Sequence, residues 1–279
     1  MCKITKIGGK VKMADDASQR KAQNKALFNL VAPDYDSGPG CFAQFGRRLV
    51  EVAGIKAGAR VLDIASGRGA VLFPAAERVG PDGEVVGIDL ADAMALATSK
   101  EAARRGLSAR VSVMDAEELS FADESFDCVT CGFGIMFLPD QNRGVAQMRR
   151  VLKFGGRLAL STWQVSPSED LRITLNALGL IDAVQQQGWI TDAAVLERLL
   201  TKNGFVNVQV HVDSIDFCYA NANEVWQEGL GTGMRHVLGN LDAAHKERAL
   251  AAFAERIEPR RRDSGIYITS TALLALADK

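Results

Sequence analysis

Three carboxylates stand at the ends of three successive apolar runs: Asp63 in Val61-Leu62-Asp63-Ile64, Asp89 in Val85-Val86-Gly87-Ile88-Asp89, and Asp115 in Val111-Ser112-Val113-Met114-Asp115. Between the first two runs lies Ala65-Ser66-Gly67-Arg68-Gly69, small residues that let a backbone turn tightly and approach a ligand closely. The turn opens a helix, Ala70 to Val79, whose first N–H groups can face an anionic or polar group. An acid about twenty residues past such glycines, at the end of the next strand, is suited to accept hydrogen bonds from ribose hydroxyls. The ligand expected here therefore contains a ribose. Leu72 occupies the place of the third glycine of a dinucleotide fingerprint, and no P-loop lysine is present, so a pyrophosphate loop is disfavoured.

These residues need a frame that brings strand ends together. Apolar runs at Glu84 to Leu90, Arg110 to Met114, Phe126 to Phe133 and Gly156 to Thr162 read as strands. Helical patterns at Ala91 to Arg105 and Asp140 to Leu152 separate them. This alternation implies βαβ units with right-handed crossovers and a parallel, doubly wound sheet whose carboxyl ends line one ligand-binding edge. Upstream, Ala17 to Val31 reads as a helix ended by Pro33, and Phe42 to Ala53 as a second. The turn-rich segment between them, Ala32 to Gly40, contains Tyr35 and is either a lid or a plain connector. Downstream, helices are expected at Asp170 to Gln187, Thr191 to Asn203, Ala222 to Leu241 and Ala244 to Ile257, with strands at Phe205 to Phe217 and Gly265 to Leu274. Arg256, Arg260, Arg261 and Arg262 crowd the end of the last helix, either as a solvated complement to its dipole or as an anion patch.

The chain has 279 residues, 47% of them hydrophobic, enough for one full core with an added cap. A net charge of −1 provides no general basic field, so nucleic acid is not an expected partner. No apolar run reaches bilayer length and no signal-peptide core opens the chain, so a cytoplasmic protein is expected. The five cysteines are scattered and expected to be reduced. Cys128 and Cys131 form a C-x-x-C without a second Cys or His pair, which points to buried structural thiols and no metal site.

Taken together, Val61 to Gly69, Gly87-Ile88-Asp89, Met114-Asp115-Ala116, Phe126 to Phe133 and Val151 to Leu158 resemble the class I S-adenosylmethionine-dependent methyltransferases, most closely the ubiquinone/menaquinone type, over roughly residues 25 to 165. The resemblance implies a Rossmann-like seven-stranded mixed sheet whose last strand is antiparallel at the edge, with a helical cap over the acceptor pocket. It implies S-adenosylmethionine as cofactor, with Ala65, Gly67 and Gly69 as the loop against its methionine part and Asp63 orienting that loop. Asp89 would hold the ribose hydroxyls, Leu90 and Met94 would flank the adenine, and Asp115 and Ala116 would read its edge. Phe133 would lie near the sulfonium and Tyr35 would close the lid, with Trp163 a further aromatic candidate. Ala65 stands where the family usually has its first glycine.

The expected division is an N-terminal extension 1–16, taken as mobile, helices and lid 17–58, cofactor core 59–221, helical cap 222–262 and final strand 263–279. Of the three histidines, His211 and His245 read as structural or exposed. In a glycine-interrupted part of the cap, either His236 or Arg235 faces the acceptor, or the stretch is a plain surface helix. The function expected is methyl transfer to an oxygen, nitrogen or carbon of a small, apolar metabolite. Two alternatives stay open: a rearrangement or cyclisation on the same cofactor scaffold, and a nicotinamide-dependent oxidoreductase. Assembly into a homo-oligomer is also left open.

Overall fold

The structure is a computed structural model and describes residues 9–36, 38–181 and 189–279. Along the chain it contains α1 (Gly9–Val31), α2 (Cys41–Ala53), β1 (Arg60–Ile64), α3 (Leu72–Val79), β2 (Glu84–Asp89), α4 (Asp92–Arg104), β3 (Ala109–Val113) and β4 (Phe126–Gly132). There follow α5 (Gln141–Val151), β5 (Leu152–Val165), α6 (Glu169–Ala177), α7 (Ala193–Lys202), β6 (Val206–Tyr219), α8 (Ala222–Leu230), α9 (Arg235–Leu238), α10 (Ala243–Ile257), β7 (Arg261–Arg262) and β8 (Gly265–Asp278). No helix among the described residues is long and apolar enough to cross a membrane.

One sheet runs in the order β3-β2-β1-β4-β5-β8-β6, with the two-residue β7 attached to β8. Strands β1 to β5 pair in parallel, and β8 runs antiparallel to both of its neighbours. Period-two alternation divides the side chains between two faces. Val61 and Val85 pack with α2 and α3, whereas Leu62, Ile64, Val86 and Ile88 pack on the other side with α5 and α7. The strand order reverses at β1 and β4, which opens the crevice where such sheets bind ligands.

Several expectations need correction. The last strand is antiparallel but lies inside the sheet, between β5 and β6, and β6 takes the edge. The pattern gives the reason: Ala272 to Ala277 is buried at every position, while β6 places Asn207, Gln209, His211 and Asp213 among half-buried and exposed sites that tolerate water. Helix α1 begins at Gly9, inside the stretch expected to be mobile. The helix expected over 222–241 breaks after Leu230, and Gly231 comes so close to the Tyr35 segment that a Cβ there would lie 2.5 Å from the Asp34 carbonyl oxygen. The last part of the helix expected from Asp170 to Gln187 lies outside the described residues.

Helix α6 joins the cap by packing on α10 through Leu171, Leu175, Ala249, Phe253 and Ile257. The arginines at the end of α10 are largely used in this docking. Arg256 donates to Asp170 at 3.0 Å, Arg260 donates to both oxygens of the same carboxylate, and Arg261 pairs with Glu258. Cys128 and Cys131 sit three residues apart on β4 and face opposite sides of the sheet. Burial pushes each thiol up to about 12, so both stay neutral.

Candidate active site

The glycine turn leaves β1 at Ala65, whose φ of 53° lies in the left-handed region that ordinarily favours glycine. Its methyl group is accommodated because residue 134 has none, since a Cβ there would fall 2.6 Å from Ala65 Cβ. Gly67 and Gly69 also have positive φ, 50° and 86°. Helix α2 presses on the far side of the turn through Gly46, where a Cβ would come within 2.1 Å of the Ala70 carbonyl oxygen.

Asp89 ends β2 and ties the turn to the sheet. Its Oδ2 accepts the Gly67 N–H at 2.8 Å and its Oδ1 accepts the Ala91 N–H at 2.9 Å. A carboxylate has about four lone-pair positions, so with backbone donors from Gly67, Ala91 and Leu90 acceptor capacity is left for a ligand hydroxyl. Burial raises the Asp89 carboxyl, and the backbone donors oppose that shift. Thr98 on α4 holds the turn from the other side, donating to the Gly67 carbonyl oxygen at 2.6 Å.

Asp63 lies beneath the turn, 1% exposed. Its Oδ1 accepts from Thr130 Oγ1 at 2.7 Å, while Oδ2 has no partner. Burial, only partly opposed by the Thr130 hydrogen bond and reinforced by the charge of Asp89, pushes this carboxyl up to about 7.

A narrow cleft runs over these strand ends, lined by Ala65, Gly67, Asp89, Leu90, Met94, Asp115, Ala116 and Phe133. Gly69 does not line this cleft. It faces a separate surface hollow beside Arg68, and a Cβ there would strike the Phe73 ring at 2.5 Å, so its part is to let the turn pass over α3. Helix α1, which belongs to the N-terminal stretch expected to form a lid, roofs the cleft as well as bordering the larger cavity. Lys21 Nζ reaches Asp115 Oδ2 at 2.7 Å and Glu117 Oε2 at 2.6 Å, and Asn24 donates to the Phe137 carbonyl oxygen at 3.0 Å. Burial pulls the Lys21 ammonium down, but the two carboxylates more than offset this and leave it above the ordinary lysine value.

Beside the cleft lies a larger cavity of about 510 Å³. The two share Asn24, Phe28, Tyr35, Phe133 and Phe137 as a common wall. Phe133 also has a left-handed φ, 55°, and its N–H donates to the Ser161 carbonyl oxygen at 3.1 Å. Its ring stacks on Trp163, with centroids 3.9 Å apart and planes 19° from parallel, while Phe42 meets both rings edge-on. Tyr35 stacks on Phe42 at 5.1 Å. Burial pushes the Tyr35 phenol far above its ordinary value, with Asp36 and Asp89 adding to the shift, so the hydroxyl stays protonated.

His236 is exposed and does not line this cavity. Thr232, Gly233, Met234 and Val237 do, and Arg235 turns to Asp34 at 3.2 Å and to the Leu230 carbonyl oxygen at 3.3 Å. The surface-helix alternative for His236 is the one the geometry matches. His211 and His245 are exposed as well.

Comparison with known proteins adds a lineage to this geometry. A model of the ubiE/COQ5 methyltransferase family matches residues 16–169, more than half of the chain. The chain belongs to this family. It is a methyltransferase, and its cofactor is S-adenosylmethionine. An aklanonic acid methyltransferase of Streptomyces sp. (strain C5) is 44% identical over 149 residues, which span 53% of this chain and 67% of that protein. A nocamycin O-methyltransferase of Saccharothrix syringae is 43% identical over 137 residues, spanning 48% of this chain and 49% of that protein. These alignments cover about half of this chain and from half to two thirds of the relatives. Among solved structures, the YcgJ protein of Bacillus subtilis shares the fold with a TM-score of 0.60 at 21% identity, over 85% of this chain and 98% of its own. Family membership sets the nicotinamide alternative aside.

The residues present fit the cofactor on two counts. Asp89 has acceptor capacity left over at a strand end, and the left-handed turn at Ala65 and Gly67 brings bare backbone to the cleft; Asp63 lies beneath the turn and does not line the cleft. Most of this lay within reach of motif and spacing. Thr98, Thr130, Gly46 and Lys21 did not, because a threonine in a helix or strand, a glycine in a helix and a lysine on a polar face carry no chemical signature until the fold gives them partners.

Proposed function

We propose that the enzyme transfers a methyl group to a small aromatic or otherwise apolar acceptor seated in the 510 Å³ cavity, with the cofactor in the adjoining cleft. The single observation that carries this is the common wall: Phe133 and Tyr35, with Asn24, Phe28 and Phe137, border both spaces, which supports two ligands facing each other across it. When bound, the cofactor supplies a methyl group already activated on a sulfonium.

In this reading Asp89 holds the ribose hydroxyls, the backbone at Ala65 and Gly67 receives the methionine part, and Asp63 orients that loop from beneath. Leu90 and Met94 flank the adenine, and Asp115 with the Ala116 backbone reads its edge. The stacked Phe133 and Trp163 rings present π-density toward the cationic sulfur. Tyr35 and α1 exclude water, and the chain's main contribution is alignment of the acceptor behind the methyl carbon. Among the described residues the larger cavity is lined by no Asp, Glu, His, Lys or Cys.

The family match ends at residue 169, where α6 begins, so the part of the cavity wall contributed by Thr232, Gly233, Met234 and Val237 lies outside the family model. The test is product stoichiometry with aromatic acceptors. Methyl transfer releases one S-adenosylhomocysteine per methylated product. Turnover of an acceptor without release of S-adenosylhomocysteine favours the rearrangement alternative and sinks this proposal.

A further inference from the structure

Among the described residues, five border both the cleft and the larger cavity, and only two of these have polar side chains, Asn24 and Tyr35. Asn24 is half-buried on the face of α1 that also carries Lys21 and Phe28, one turn to either side. Chemistry fixes which way its amide points. A carbonyl oxygen can only accept, so the end of the amide 3.0 Å from the Phe137 carbonyl oxygen is the NH2, and Oδ1 is the end turned away. Among the described residues Oδ1 has no hydrogen-bond partner, and it is not one of the enclosed polar atoms, so it is open to a ligand.

Tyr35 supplies the opposite chemistry. Its phenol stays protonated, so its hydroxyl can donate, and that hydroxyl also has no partner among the described residues. The other three residues of the wall, Phe28, Phe133 and Phe137, bring rings and no polar side-chain atom. An aromatic wall thus offers one oxygen that only accepts and one hydroxyl able to donate. A group that meets both must give a hydrogen bond and receive one. A hydroxyl does this with a lone pair to spare, because it has one donor and two acceptor positions. A carbonyl or ether oxygen has nothing to give Asn24, and an amine that accepts from Tyr35 has used its lone pair.

We infer that the reacting group of the acceptor is a hydroxyl and that Asn24 positions it. The hydroxyl donates to Asn24 Oδ1, accepts from Tyr35 Oη and keeps its second lone pair for the methyl carbon. This rests on the methyl-transfer reading and narrows the nucleophile from oxygen, nitrogen or carbon to oxygen. As the oxygen forms its bond to the methyl carbon, the carbon–sulfur bond breaks and its electron pair stays on sulfur. The hydroxyl proton passes to solvent water, because an amide oxygen is too weak a base to keep it. Asn24 therefore acts by orientation, holding one lone pair in line with the bond that breaks.

The experiment uses the full chain saturated with S-adenosylhomocysteine and two probes of nearly one shape, 2-naphthol and 2-fluoronaphthalene, titrated calorimetrically at pH 7.5, where the naphthol keeps its proton. The expected result is naphthol bound at least about fivefold more tightly than the fluoro compound, the size of one or two neutral hydrogen bonds. In Asn24→Leu and, separately, in Tyr35→Phe that preference falls by about threefold or more. The ratio of the two probes within one variant discounts a change of cavity shape, which acts on both. Asn24→Leu strips the Phe137 carbonyl of its donor, so Tyr35→Phe, which removes only a hydroxyl, keeps the test decisive if the first variant folds poorly. Equal affinities in the wild-type chain, no detectable naphthol binding, or a preference that survives either substitution overturns the inference. Loss of S-adenosylhomocysteine affinity in Asn24→Leu with the naphthol preference intact also overturns it, by assigning Asn24 to the cofactor. Failure of S-adenosylhomocysteine to bind the wild-type chain overturns the methyl-transfer reading instead, so the two failures are distinguishable.

Discussion

Ala65 and Gly134 form a matched pair, in which the one residue carries a methyl group in a left-handed turn and the other leaves 2.6 Å where its own Cβ would stand. Gly134→Ala must displace Ala65 or Cys131 Sγ, which lies 2.9 Å from the same point. The expected loss is about 1–3 kcal/mol in urea unfolding, with weaker S-adenosylhomocysteine binding. Ala65→Gly removes one of the two clashes and recovers part of both losses in the double variant. Alone, it binds the cofactor within about threefold of wild type, because glycine adopts the same φ readily. A Gly134→Ala protein as stable as wild type contradicts this packing.

Asp89→Asn tests the carboxylate that joins the turn to the ribose position. The amide can offer an oxygen to only one of the Gly67 and Ala91 N–H groups and turns its NH2 toward the other. An unsatisfied buried donor costs about 1–3 kcal/mol, and losing the charged acceptor weakens the hydroxyl contacts as well. Calorimetric titration should show S-adenosylhomocysteine affinity lower by about tenfold or more. Unaltered affinity excludes Asp89 from the cofactor site.

Stability without cofactor is expected to fall as pH rises from about 4 to about 7. Burial pushes Asp63 up to about 7 and Asp36 up to about 6. Both carboxyls therefore hold a proton in the folded chain at pH values where the unfolded chain has released it. The folded state binds more protons across that window, so unfolding free energy declines with pH, and Asp63 alone contributes a slope of about 1 kcal/mol per pH unit. Urea titrations at pH 5, 6 and 7 give the slope, and Asp63→Asn should flatten it. A curve that rises over this range refutes the assignment.

Lys21→Met should loosen the α1 roof. The side chain bridges Asp115 and Glu117 from a partly buried position, and such a pair contributes on the order of 1 kcal/mol. S-adenosylmethionine KM is expected to rise by about three- to tenfold with kcat little changed, since Lys21 touches the cleft wall and not the acceptor cavity. A fall in kcat at unchanged KM would place Lys21 elsewhere in the mechanism.

His236→Gln is expected to leave turnover and its pH profile unchanged, because the imidazole is exposed and does not line the cavity. A loss of turnover with normal cofactor affinity would restore His236 as an acceptor-side group.

The cleft over the strand ends was legible in the chain because its determinants are local. A strand, a turn of small residues and a helix are contiguous, and period-two and helical spacing fix which side chain ends each strand. Asp63, Asp89 and Asp115 could be aligned from register alone. The antiparallel β8 shows where this reasoning was too coarse. Its unbroken apolar run, Ala272 to Ala277, and the polar positions of β6 already argued against β8 at the edge. The acceptor half was less legible. His236 stood out as a chemically distinctive residue in a glycine-rich cap, yet a helix that breaks at Gly231 turns its faces in a way no periodicity reveals.

By itself, the sequence determined a doubly wound sheet and the residues that end its strands at the cleft, since these follow from hydrophobic period and from the few residue types that tolerate tight turns and strand-end polarity. Only the tertiary structure decided which residues line the larger cavity. Arg20, Tyr35, Phe133, Trp163, Ser166 and Arg172 come from α1, the segment after it, β4 and β5 and their following loops, and α6. Contacts across such separations depend on how whole elements pack. Likewise, the methyl group of Ala65 could be judged only once Gly134 was seen opposite it.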